Sequence, residues 1–249
     1  MSSLAAAQTS LPATDQSLIN IQTPTLLKTS QSGVLFDLRY FGGYDKTLFG
    51  SLWYGYGVSK DLEIDLAGTF SKWSSTFAGG DEIRFGGTDE ELSLRYKLPG
   101  SEAYPITVQA GLAYDQTPAQ AHRIVSTVGG SIGYSPDSKI RLYFNPKAVF
   151  LDHNSLVGLG LGAAVDIIPK ITLVGDWTPL VAGDNSYDTQ TGFRSRGQLY
   201  SVGLRFPNLY LNGTLDVGIT NASGITTGSS LTPSLGDSPA IFVRFSYRF

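Results

Sequence analysis

The last nine residues, Ile241 to Phe249, restrict the fold more than any other stretch of the chain. Counting back from Phe249, every second residue is apolar or aromatic (Tyr247, Phe245, Val243, Ile241), while Arg248, Ser246 and Arg244 hold the other parity. A period of two is a strand with one apolar face and one polar face. Chain ends usually fray, and a frayed aromatic edge invites aggregation, so soluble proteins rarely finish this way.

The same alternation recurs from Gly33 onward in segments of about ten residues, each followed by a break. Strands are expected at 33–42, 47–58, 61–72, 89–98, 104–115, 122–135, 139–151, 155–167, 170–181, 197–206, 208–219 and 239–249. That is about twelve, each near the ~9–11 residues a tilted strand needs to cross a bilayer. Alternate breaks are short and carry turn residues: Ser59-Lys60-Asp61, Pro99-Gly100-Ser101-Glu102, Pro136-Asp137-Ser138, Pro169-Lys170 and Pro207-Asn208. The intervening ones, 43–46, 73–88, 116–121, 152–154, 182–196 and 220–238, are on average longer. Short turns on one side and long loops on the other is the plan of outer-membrane barrels, with turns periplasmic.

Composition agrees. Charged residues make up 16% of the 249, well below the roughly 25% of average soluble domains. Gly 29, Tyr 13 and Phe 13 against Met 1 favour strands and turns, and Cys 0 excludes disulfide frameworks, thiol nucleophiles and Cys-ligated zinc. The longest apolar run, Leu156 to Val165, is Gly-rich and stopped by Asp166, so a membrane-spanning form must be a closed barrel. Net charge −3 with no basic run gives no footprint for nucleic acid.

The terminal segment resembles the assembly signal of bacterial outer-membrane β-barrel proteins: a final Phe249, an aromatic at Tyr247, then Phe245, Val243 and Ile241 at alternate positions. The resemblance implies an all-β chain folded as a closed antiparallel transmembrane β-barrel in the bacterial outer membrane. Its implied partners are the barrel assembly machinery and the outer-membrane lipids with lipopolysaccharide. Residues 33–249 would form the barrel, and the polar, Thr-, Ser- and Gln-rich residues 1–32 a tail, loose in the periplasm or folded into the lumen as a partial plug. Residues 1–8 lack the basic and long apolar regions of an intact signal peptide and read as the start of a mature chain given an initiating Met.

Charged residues share one parity, which in a membrane barrel faces the lumen. Assigned there are Arg39, Arg95, Lys97, Arg141, Lys147, Arg205, Arg244 and Arg248 beside Asp37, Glu63, Asp65, Glu91, Asp115, Asp166, Asp176 and Asp216, with Phe41, Phe49, Trp53, Tyr143 and Tyr210 among them. Eight charges of each sign favour cross-lumen ion pairs, since charges taken from water need partners. The opposite parity is apolar, as in Leu62/Ile64/Leu66 and Leu92/Leu94/Tyr96. Aromatics cluster at strand ends: Tyr40, Trp73, Tyr114, Phe150 and Tyr200 at the loop ends, Tyr56, Tyr134, Phe206 and Phe249 at the turn ends. Two interfacial girdles are expected from them. Pro146, inside the seventh strand, deletes a ladder hydrogen bond and predicts a bulge or distortion. The inward row Gly158, Gly160 and Gly162 leaves room for a plug or loop, or simply accommodates strand curvature.

Chemistry is sparse. The two histidines, His122 and His153, fall near loop ends, and the run His153-Asn154-Ser155 holds hydrolase ingredients without a triad's geometry. The acidic loops Gly79-Gly80-Asp81-Glu82 and Gly183-Asp184-Asn185-Ser186 match no EF-hand spacing, and neither a cofactor nor a structural metal is expected. The reading reached is a narrow channel for small polar solutes or ions. The alternatives are a non-conducting barrel, structural or accessory to exopolysaccharide export, and a lipid hydrolase.

Overall fold

The computed structural model describes residues 17–249 apart from 43–45, 78–79, 101–103, 116–122, 152–153, 188–193, 210–212 and 234–238. The side chains of 46, 72–77, 80–88, 115, 123, 187 and 194 also lie outside the description.

Alternation becomes strand wherever it was read. The barrel strands are β1 (Ser32–Phe41), β2 (Lys46–Gly57), β3 (Leu62–Phe77), β4 (Gly80–Lys97), β5 (Ile106–Asp115), β6 (Arg123–Tyr134), β7 (Ile140–Phe150), β8 (Leu156–Ile168), β9 (Ile171–Thr178), β10 (Leu199–Phe206), β11 (Thr214–Thr220) and β12 (Ala240–Arg248). Each pairs antiparallel with its neighbours in sequence, and β12 closes on β1. A thirteenth segment, Leu180–Ala182, continues β9 past Pro179 on the same partner, β8, so the closed barrel has twelve strands. Closure runs to the last residue: Ser32 N donates to Phe249 O (2.9 Å) and Phe249 N to Ser32 O (3.0 Å). A closed ring leaves no strand edge unpaired.

The outer face is an apolar belt. Ile64, Leu66, Leu92, Leu94, Leu112 and Leu142 are exposed, as are Ile241, Val243, Phe245 and Phe249 of the terminal strand. Exposed apolar side chains all around a ring have no aqueous account, because apolar surface in water costs about 25 cal/mol per Å²; in hydrocarbon they meet their own kind. Tyr40, Tyr114, Phe150 and Tyr200 rim the loop end of this belt, and Tyr56, Tyr134 and Phe249 the turn end. Phe206 is only partly exposed, and Trp73 lies outside the described side chains. The protein is therefore a membrane-spanning barrel.

Several element boundaries differ from expectation. The stretch 73–88, expected as a loop, is a paired extension of β3 and β4 that runs to Phe77↔Gly80. The expected strand 208–219 shortens to β11, because Pro207 and Asn208 turn the chain, with Asn208 at φ 56, and Leu209 N bonds Gly213 O at 3.0 Å. The expected strand 170–181 breaks at Pro179, and 182–196 contains a small pairing of Ser186–Tyr187 with Arg194–Ser195. At Pro146 no bulge forms. Register is kept on both sides (Gly129↔Lys147 and Ile132↔Phe144; Pro146↔Leu159), and Asn145 Nδ2 donates to the Gly130 carbonyl at 2.5 Å in place of the missing proline N–H.

Candidate functional site

The lumen is filled rather than open, by two inserted segments. From Ser32 the chain runs backwards into the barrel at the turn end and folds as a tight hairpin, Ser17↔Gln22, with Ile19 and Asn20 at its tip. Leu18, Ile19, Asn20, Ile21, Thr23 and Leu27 are all buried. From the loop end, the connection after β11 folds inward and is pinned by a single 3-10 turn, Ser229–Leu231, with Ala222, Thr226, Thr227 and Ser230 buried beside it.

Each insertion carries an apolar cluster. Leu18, Ile19 and Ile21 pack with Tyr143, Ala164, Val174 and Phe242; Leu231 and Ala222 pack with Val125, Val149, Leu156, Leu180 and Leu199. The glycine row of β8 supplies the seat for both. A Cβ on Gly162 would lie 2.4 Å from Leu18 and Ile21 side-chain carbons, one on Gly160 2.8 Å from Ile21, and one on Gly158 2.4 Å from Leu231. Close approach to inserted side chains, not strand curvature, is what these glycines serve.

The lumen parity assigned from sequence is the parity that points inward. Asp37, Arg39, Glu63, Asp65, Glu91, Arg95, Arg141, Lys147, Asp176, Arg205, Asp216 and Arg244 are buried. Lys97 is exposed at the turn-end rim, Asp166 and Arg248 are half-buried, and the Asp115 side chain lies outside the described residues. So do Tyr210, His122, His153 and the side chains of 80–82. Phe41 and Tyr143 are buried, with Phe41 edge-on to Phe49 at 5.4 Å.

The expected cross-lumen ion pairs are replaced by pairs within the wall. Arg95 meets Glu63 at 2.7 Å, Arg205 meets Asp216 at 2.9 Å and Arg141 meets Asp166 at 2.7 Å. Asp37 is shared between Arg39 (2.7 Å) and Arg244 (2.8 Å). The cause is register: Glu63↔Arg95, Arg205↔Asp216 and Asp37↔Arg244 are directly opposed on adjacent strands. The donors left over reach the inserted segments. Arg244 donates to the Leu18 carbonyl (2.5 Å) and to that of Ile19, Arg95 to those of Thr23 and Thr25, and Arg205 to Ser17 O (2.7 Å).

The carboxylates hold the other insertion. Asp89 accepts from the Thr226 hydroxyl and from Ser229 N (3.2 Å), and Glu91 from Thr227 N (2.5 Å) and the Thr227 hydroxyl (2.7 Å). Two cations join the insertions where they meet: Arg39 Nη1 donates to Asn20 Oδ1 (2.9 Å) and Ala222 O (2.8 Å), and Lys147 Nζ to Asn20 O and Ser230 Oγ (2.7 Å each). Between the hairpin and the turn-end wall remains a cavity of about 60 Å³, bordered by Trp53, Arg95, Arg205, Arg244 and Arg248. It has room for water only.

The residues that sequence reading missed are those supplied by the insertions, Asn20 and Thr226 to Ser230, together with Asp89 and Asn145. The visible signals were the apolar patch Leu18-Ile19-Asn20-Ile21 in a polar tail and the inward glycines facing it. Two of the described loop residues make structural bonds: Ser155 Oγ donates to Leu151 O at 3.1 Å, and Asn185 Nδ2 holds Leu231 O at 2.7 Å.

No protein-family model and no curated protein matches the sequence. Among solved structures, an outer membrane channel from Pseudomonas putida F1 superposes with TM-score 0.61 at 14% identity, covering 90% of this chain and 97% of that one. The NanC porin superposes with TM-score 0.58 at 8% identity, covering 87% and 98%. Likeness at this identity speaks for the fold, and the fold is that of a bacterial outer-membrane β-barrel of twelve strands.

Proposed function

We propose that the protein is an outer-membrane channel for small polar solutes or ions, drawn here in a closed conformation, and not an enzyme. The observation that carries this reading is the way the hairpin of residues 17–27 is held. Arg95, Arg205 and Arg244 grip it through backbone carbonyls while keeping Glu63, Asp216 and Asp37 as their own wall partners. The hairpin can therefore withdraw without leaving these three guanidinium groups without a carboxylate, which is the costly outcome for buried charge. Both insertions also give N–H groups to buried carboxylates, the hairpin to Asp176 and Glu63 and the inward loop to Asp89 and Glu91. They differ in attachment: the inward loop joins two wall strands, β11 and β12, whereas among the described residues the hairpin is joined to the wall only at β1. The inward loop narrows the pore and the hairpin closes it. Outside, the apolar belt meets the lipids and lipopolysaccharide, and the terminal strand is the recognition element for the assembly machinery.

Single-channel recording in planar bilayers tests the reading, with the full chain compared against Gly162→Leu, which fills the hairpin's seat. Sparse openings in the first and frequent ones in the second are expected, at a conductance below that of a 16-stranded porin. If both proteins are folded and silent, the barrel is structural and the channel reading falls.

A further inference from the structure

Four groups from four strands converge on Asn20: Asp176 of β9, Lys147 of β7, Arg39 of β1 and Thr220 of β11. Asp176 Oδ2 accepts from Ile19 N (3.1 Å) and Asn20 N (2.9 Å), and its Oδ1 from Asn20 Nδ2 (3.1 Å). Thr220 Oγ1 takes the other proton of that amide at 3.0 Å. Asn20 also presents oxygen, its side-chain Oδ1 to Arg39 at 2.9 Å and its backbone O to Lys147 at 2.7 Å. Asn20 is thus read through its N–H donors by an acid and a hydroxyl, and through its carbonyl oxygens by two cations.

We propose that this place in the lumen is a binding site for small zwitterions of the α-amino-acid class, and that Asn20 is a tethered mimic of that ligand. An ammonium group would donate to Asp176 and Thr220, and a carboxylate would accept from Arg39 and Lys147. The two ends of the site set the class. Asp176 is an acid that bonds only hairpin groups, whereas Arg39, whose partner Asp37 is shared with Arg244, and Lys147 are cations, so a ligand with both signs answers both. A simple anion would leave the Asp176 carboxylate without its hairpin donors, and a simple amine would leave Arg39 and Lys147 without the acceptors that Asn20 supplies. The wall beside Asp176 has hydrogen-bonding capacity to spare. Thr178 Oγ1, two residues on, and Ser201 Oγ, directly opposite Asp176 in register, are buried and bond no other group of the described residues. The inference rests on the channel reading, for a solute reaches this site only when the hairpin withdraws.

Isothermal titration calorimetry on the detergent-folded full chain tests it, with L-asparagine as the probe and acetate and ethylamine as half-ligands. In the full chain Asn20 competes with the probe by its backbone as well as its side chain, and the apparent affinity falls by the fraction of molecules in which the site is vacated. Asn20→Ala combined with Gly162→Leu, which removes the side chain and the hairpin's seat, is therefore expected to bind L-asparagine at least tenfold more tightly than the wild type, and at least tenfold more tightly than it binds acetate or ethylamine. Asp176→Asn in that background should abolish the binding. If that triple variant does not fold, the comparison with half-ligands carries the test. No heat of binding in the folded double variant, or half-ligands that bind as tightly as L-asparagine, would overturn the site. The two readings fail separately: conductance without L-asparagine binding removes the site and keeps the channel, whereas binding to barrels that never conduct removes the channel and leaves a ligand pocket.

Discussion

A leucine at position 162 is expected to expel the hairpin from the lumen. The Cβ of any residue there would lie 2.4 Å from Leu18 Cδ1 and from Ile21 Cδ1, and Leu18 and Ile21 are 0% and 1% exposed. Those Cδ1 ends can turn aside for a Cβ alone, but a whole leucine side chain must enter a seat already filled by the cluster with Tyr143, Ala164 and Val174. Full burial of a Leu or Ile side chain is worth about 1.5–3 kcal/mol, so losing both seats weakens the closed state by roughly 3–6 kcal/mol. At 1.4 kcal/mol per decade this raises the ratio of withdrawn to inserted hairpin by about two to four powers of ten. The barrel itself should remain, since Gly162 keeps its backbone pairing with Tyr143 and Asp176. The chain has Cys 0, so a single Thr23→Cys at a position 0% exposed reports insertion directly through its rate of maleimide labelling. Slow labelling in that background and labelling faster by a hundredfold or more with Gly162→Leu added is the expected result. Unchanged protection in a folded Gly162→Leu barrel would refute the argument that the glycine row seats the hairpin.

Three further outcomes follow from the wall. Leu94→Arg, on the lipid face opposite Ala110 at the middle of β5, is expected to cost about 2–4 kcal/mol in urea titrations of vesicle-folded protein, against about 0–1 for Tyr104→Arg near the turn end; equal costs would remove the apolar belt. Arg244→Gln leaves Asp37 paired with Arg39 and frees the Leu18 and Ile19 carbonyls, so a loss of about 1.5–3 kcal/mol is expected, as for a hydrogen bond to a charged group. Adding Asp37→Asn strands the buried Arg39 without a carboxylate and should cost about 3–5 kcal/mol more; a further loss below about 1 kcal/mol would show that the pair is not coupled. If the terminal strand is the proposed assembly signal, Phe249→Asp should still refold in detergent but reach the outer membrane of cells poorly; wild-type levels in cells would count against that role.

The strand plan and the facing were legible because both follow from a period of two. Asp37, Glu63, Arg95 and Arg244 point inward and Ile64, Leu94 and Val243 outward, as their parity demands, since a slip of one residue would exchange every face. What parity does not encode is where a lumen charge finds its partner. Cross-lumen pairs were the expectation for a balanced interior, yet Glu63 and Arg95 are opposed on neighbouring strands, and a partner that close leaves no reason to reach across. For the tail, entry into the lumen stood as one of two readings, and what holds it there was illegible for the converse reason. Its ties run from wall arginines to the carbonyls of Ser17, Leu18 and Thr23, and a backbone carbonyl leaves no mark on a sequence.

Pro146 and Ser93 show how filling the lumen alters the reading of single residues. At Pro146 the missing N–H predicts a distortion, but the neighbouring Asn145 amide supplies the bond to Gly130 O and register survives; only the pair of residues together carries that information. By its parity Ser93 faces the lumen, where an added charge would cost little if the interior held water. Its hydroxyl instead accepts from Gln109 Nε2 at 3.0 Å and the residue is 4% exposed, so an arginine there would displace packed side chains and Gln109 with them. Inserting volume into packed interiors costs about 1–3 kcal/mol. The penalty for Arg on the lumen face therefore approaches that on the lipid face by a different route, packing rather than dielectric. The two routes separate when the hairpin is expelled: Gly162→Leu should reduce the cost of a lumen charge beside it, such as Leu35→Arg on the cavity wall, and leave the cost of Leu94→Arg unchanged.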